Sequence, residues 1–124
     1  MRRTAKPAAT ETQIKHQIKQ YLDLRGIFNY HVLQGVGSYR GLPDRVMHYQ
    51  GRVIYLEIKT PSGSLRADQA IFQGQCQADD IDYWVIRDVE ELHKRIELMK
   101  DIPQQPRVRI APRLAGRGRF EGGV

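Results

Sequence analysis

The stretch DRVMHYQGRVIYLEIK, residues 44–59, limits the fold more than any other part of the chain. Apolar and polar residues alternate on both sides of Gln50-Gly51, the pattern of two half-buried strands around a tight turn. A two-residue loop at Gln50-Gly51 sets Tyr49 opposite Arg52, and each further rung steps out by one residue on either side, so Asp44 lands opposite Glu57. Side chains alternate across a strand. One face therefore carries Asp44, Val46, His48, Val53, Tyr55, Glu57 and Lys59, and the other carries Met47, Ile54, Leu56 and Ile58. The second face is the expected core.

Two carboxylates on one rung need an explanation. Like charges directly opposite destabilise a sheet, and a buried carboxylate costs several kcal/mol unless something positive compensates it. A divalent cation does so economically. Hard oxygen donors suit Mg²⁺ or Mn²⁺, which take one or two carboxylates, a backbone carbonyl and waters; the carbonyl of Ile58, next to Glu57, is the candidate here. Lys59 projects from the same face as Glu57. A cation that lowers the pKa of a water, beside a lysine that orients it or meets developing negative charge, is the equipment of phosphodiester hydrolysis. Taken singly, each of these residues reads equally well as a surface salt-bridge partner.

The rest of the chain supplies cover for this hairpin. TETQIKHQIKQYLDLRG reads as a helix with a capping box at Thr10 and Gln13, a stop at Gly26, and Ile14, Ile18, Tyr21 and Leu22 on its buried stripe. Glu11 falls on the same stripe; alone, it reads as an acid favouring the positive end of the helix dipole. IFNYHVLQ is a candidate strand, and GVGSYRGLPD a glycine-rich loop without the Gly-Lys-Ser/Thr ending of a phosphate-binding loop. After the hairpin, a helix is expected from near Leu65, then the strand IDYWVIR. A closing helix, capped by Asp88, places Val89, Leu92, Ile96 and Met99 on one side. Helix, three strands, helix, strand, helix is an α/β arrangement, a sheet flanked by helices.

Charge divides the 124-residue chain into a basic arm (1–9), a neutral body (10–100) and an Arg/Gly-rich basic tail (101–124). Of 20 bases and 14 acids, Arg2, Arg3 and Lys6 belong to the arm, and five arginines against Asp101 and Glu121 belong to the tail, which leaves twelve of each for the body. Basic arms attract polyanions by counterion release, so nucleic acid is the expected partner; the competing reading is a solvated tail whose composition resists folding. Arg40, Arg107, Arg109, Arg113, Arg117 and Arg119 are the candidate contacts. No apolar run reaches a membrane span, and the single cysteine, Cys76, excludes an internal disulfide, suits packing and fits a reducing cytoplasm.

Pro43-Asp44 followed by Glu57-Ile58-Lys59 resembles the PD-(D/E)xK nuclease signature, and three further stretches resemble its VRR-NUC family. ETQIKHQIKQYLDLRG is similar to that family's first helix, RGLPD to its entry into the hairpin, and LRADQ to the segment where a glutamine opens the next helix. The likeness spans residues 10–90. It implies an αβββαβ nuclease core with a mixed sheet, in which Glu11, Asp44 and Glu57 hold metal, Lys59 is the catalytic lysine and Gln69 completes the site. Similarity to the stand-alone phage and bacterial forms implies a cytoplasmic homodimer that cuts branched DNA such as four-way junctions. A flap, nicking or restriction-like nuclease and a non-catalytic DNA-binding accessory protein are the alternatives.

Overall fold

A computed structural model describes residues 7–101; Arg107, Arg109, Arg113, Arg117 and Arg119 lie outside the described residues. The elements run α1 (Glu11–Leu24), β1 (Asn29–His31), β2 (Arg45–Tyr49), β3 (Arg52–Ile58), α2 (Ala67–Ala78), β4 (Asp82–Ile86) and α3 (Val89–Met99). The strands lie side by side in chain order. β1, β2 and β3 pair antiparallel and β4 joins β3 in parallel, with α2 as the crossover, so the sheet is mixed and the class is α/β.

The hairpin forms in the register the sequence specifies. Gln50 and Gly51 have φ of 51° and 77°, the paired positive values of a type I′ turn, whose twist matches that of the flanking strands. Tyr49 pairs with Arg52 and the ladder runs out to Arg45 opposite Leu56. The ladder does not extend to the expected rung of Asp44 opposite Glu57: the Asp44 N–H donates at 3.1 Å to the carbonyl of Leu56, already the partner of Arg45, so the two residues bulge against one, and the Asp44 carbonyl accepts from Val32 at 3.0 Å.

Met47, Ile54, Leu56 and Ile58 lie on the face that α1 and α3 cover, fully buried with Ile14, Ile18 and Leu22 of α1 and Leu92, Ile96 and Met99 of α3. Burying an aliphatic side chain of this size is worth about 1.5–3 kcal/mol, so this seam is the main source of stability. The α1 stripe is held in phase by its start, where Thr10 Oγ1 accepts from the Gln13 N–H and Gln13 Oε1 accepts from the Thr10 N–H. Asp88 caps α3 by accepting from the Glu91 N–H at 2.8 Å.

The opposite face is covered too. α2 lies over β3 and β4, with Cys76 buried and Phe72 between Tyr55 and Tyr83 at centroid distances of 5.4 and 6.0 Å. Two boundaries differ from expectation. β1 holds only three residues of the eight-residue run, because beyond His31 the chain pairs once more, through Val32, and then turns at Gly35–Ser38. α2 begins at Ala67 and not near Leu65, because Arg66 is still extended (φ −71°, ψ 164°) and donates its N–H to the Gln69 side chain at 2.9 Å.

Among the described residues, no helix is long and apolar enough to cross a membrane.

Candidate functional site

Where β2 and β3 end, the hairpin opens into a cleft of ≈ 350 Å³ between the start of α1, the strand ends and the start of α2. Four of the five candidate site side chains line it: Glu11 from α1, Asp44 from the entry to β2, Glu57 from β3 and Gln69 from α2. Lys59 is not on the lining; it sits behind Glu57, 6% exposed, with Nζ 3.4 Å from Glu57 Oε2. The Lys59 N–H donates to the Ile86 carbonyl, which fixes that backbone against β4.

Glu57 is the centre of the arrangement. It is 1% exposed, and Gln69 Nε2 donates to its Oε2 at 3.0 Å. Its other oxygen, Oε1, is buried without a hydrogen-bond partner. A buried carboxylate oxygen left unpaired is expensive, and native proteins seldom keep one without a use for it. Burial, and then the neighbouring charge of Asp44, push the Glu57 carboxyl up to about 7 from an ordinary 4.5, with Lys59 offsetting only part of this. Two acids are therefore held together although their charges conflict.

Asp44 is anchored on both oxygens. Oδ2 accepts the Ile58 N–H at 2.7 Å, which closes the ladder at its open end, and Oδ1 meets the Lys15 ammonium at 3.1 Å. Lys15 also pairs with Glu11 Oε2 at 3.0 Å, so one lysine bridges the acid of α1 and the acid just before β2. Desolvation lowers the pKa of Lys15, but its hydrogen bonds to Glu11 and Asp44 outweigh that and the net direction is upward.

Lys15 was missed by the sequence reading, although it lies four residues after Glu11 on the same helical face, and so were the cleft residues His31, Gln34 and Arg66. Gln34 donates to the carbonyls of Leu42 and Pro43 at 2.9 and 3.3 Å, tying the glycine-rich loop to the entry of β2. Arg40, by contrast, is exposed on that loop and is not part of the lining.

Gln69 stands apart from its neighbours. Gln75 and Gln77 are exposed and Gln73 half-buried, whereas Gln69 is buried and aimed at Glu57. Gly41 lets the helix carrying it come close: a Cβ at Gly41, where φ is +87°, would lie 2.3 Å from the Asp68 carbonyl oxygen. The close approach of this loop to the first turn of α2 therefore depends on a residue without a side chain.

The donor set can be tested against a hard divalent cation. Among the described residues, no three of His, Cys, Asp and Glu converge into one group. Asp44 and Glu57 do approach each other, one of them with a free buried oxygen, and the Ile58 carbonyl follows Glu57 along the same strand. Two carboxylates, a carbonyl and waters are within what Mg²⁺ or Mn²⁺ accepts, so the residues fit. Compared with family models, curated proteins and solved structures, the chain matches none.

Proposed function

We propose that the protein is a metal-dependent DNA endonuclease of the PD-(D/E)xK kind, resembling the VRR-NUC family. The observation that carries this reading is Glu57: a buried carboxylate with an unpaired oxygen, set beside a second acid and backed by a lysine. A hydrophobic pair would stabilise a sheet better at this place, so the acids are kept for a ligand.

Asp44 and Glu57, with the Ile58 carbonyl, would hold Mg²⁺ or Mn²⁺, which supplies a water of lowered pKa and shields the phosphate charge. The chain's own groups do the rest. Gln69 and Lys59 both engage Glu57 Oε2, which leaves Oε1 as the free donor. Lys59 sits behind that carboxylate, off the cleft lining, and would bear on the attacking water and on charge developing at the phosphate through Glu57. Arg66 and Lys15 line the cleft beside the acids and suit phosphate oxygens on either side of the cut. DNA as substrate is supported by the basic arm and tail around a neutral body. Selection by DNA shape is the mode this reading carries, and a two-fold dimer would suit a four-way junction.

A non-catalytic DNA-binding protein is the second reading, favoured by Lys15, which already neutralises Glu11 and Asp44. One experiment separates the two: matched junction, flap, duplex and single-stranded DNAs are incubated with Mg²⁺, Mn²⁺ or EDTA. The nuclease reading expects cutting with metal and none with EDTA. Binding without cutting under any metal would favour the second reading, and cutting that survives EDTA would remove the metal from the mechanism.

A further inference from the structure

The nuclease reading leaves open how many cations the cleft takes, and the α1 side of the cleft bears on that number. Enzymes that cut phosphodiesters with two metals place them roughly 3.5–4 Å apart, clamping the attacking and leaving oxygens. With a first cation between Asp44 and Glu57, a second would have to lie on the other side of Asp44, toward Glu11. That space is filled by an ammonium: Lys15 Nζ is 3.1 Å from Asp44 Oδ1 and 3.0 Å from Glu11 Oε2. The Lys15 and Glu11 side chains are about equally exposed, at 40% and 42%, so the pair stands at the mouth of the cleft, while Asp44, at 15%, lies deeper. On the Glu57 side, by contrast, an unpartnered buried oxygen is available.

We infer that the site takes a single divalent cation, between Asp44 and Glu57, and that the Lys15 ammonium stands where a second would bind, with Glu11 as the positioning residue that holds the lysine and not as a metal ligand. This rests on the nuclease reading and refines it. Like-charge repulsion keeps a divalent ion away from a fixed ammonium at such distances. The lysine then presents a positive charge to the phosphate from the mouth of the cleft.

The test counts bound ions without relying on turnover. The full chain is titrated with Mn²⁺ in the absence of DNA, free Mn²⁺ is followed by electron paramagnetic resonance, and the same is done for Lys15→Gln, Lys15→Arg and Glu11→Gln. One ion is expected for the wild type, one for Lys15→Arg, which keeps the charge, and one for Glu11→Gln. Lys15→Gln, which frees both acids, should bind two.

Two ions on the wild type would overturn the inference and leave the nuclease reading intact, as would a Lys15→Gln protein that still binds one. Loss of the ion in Glu11→Gln would make Glu11 a ligand and overturn its positioning role. A wild type that binds no Mn²⁺ at all would overturn both readings. Circular dichroism melts of the variants show that they are folded, which is expected because Lys15 and Glu11 are both half-exposed.

Discussion

Glu57→Gln in metal-free buffer gives the sharpest test of why the acids are there. In the wild type the folded state holds the Glu57 proton up to about 7, whereas the unfolded chain releases it near 4.5. Between these values the folded state binds more protons than the unfolded one, so this group makes stability fall as pH rises. At about 1.4 kcal/mol for each pH unit, the interval from 4.5 to about 7 corresponds to roughly 3 kcal/mol, absent at the acid end and complete above neutrality. Glutamine keeps an oxygen for the Gln69 amide but carries no charge, so the variant escapes this loss. For a domain of this size the difference in melting temperature between variant and wild type should shift in the variant's favour by on the order of 10 °C between pH 4.5 and pH 8.

Thermal melts of both proteins in EDTA across that range measure it, and titrating groups that do not interact with Glu57 cancel in the difference. Addition of Mn²⁺ at about a hundred times its dissociation constant at pH 8 should then return about 2.7 kcal/mol to the wild type and little to the variant. Parallel pH curves, with the variant less stable throughout and no response to Mn²⁺ in either protein, would refute the argument and make Glu57 a structural partner of Lys59.

Three other outcomes are expected. Lys59→Met, which fills the same buried space without charge, should lower the cleavage rate by about 10²-fold or more while Mn²⁺ still binds, a combination read by single-turnover cleavage beside a metal titration. Gly41→Ala should destabilise the fold by about 2 kcal/mol or more in urea unfolding, because it adds a side chain at φ +87° against the Asp68 carbonyl, and it should weaken cutting by displacing Gln69. Deletion of residues 103–124 removes five arginines and one acid, so DNA affinity should fall for all shapes together and the salt dependence of binding should flatten, while the ranking of shapes survives.

What could be read from the sequence was whatever is decided by neighbours along the chain. The turn at Gln50-Gly51, the alternation on either side of it and the caps at Thr10 and Asp88 act over a few residues, and each recurs in the structure. Gln69 is singled out in the sequence only by the resemblance; in the structure it is buried against Glu57, unlike the other glutamines of α2. The bridge formed by Lys15 was not legible, because a Glu-Lys pair four residues apart on a helix usually faces water; its second partner, Asp44, lies at the entry to a strand, 29 positions away in the numbering. The roof that α2 makes over Glu57 was hidden for the same reason. A helix with only Gln69 and Cys76 buried gives little periodic signal of what it covers.

The double cover of β3 also makes the core the guardian of the site's spacing. Suppose one residue were inserted between Gln50 and Gly51, so that β3 slipped by one position against β2. Every β3 side chain would exchange faces, which would drive Glu57 into the seam occupied by Ile54, Leu56 and Ile58 and turn those residues toward α2. The oil would refuse the acid. The chain would instead bulge at the turn and keep the old register, so length changes in that turn should be absorbed locally and never reach the carboxylates. The distance between Asp44 and Glu57 is thus protected by apolar residues outside the cleft, and a core substitution such as Leu56→Ala should loosen the acids' alignment without altering a single polar group near them.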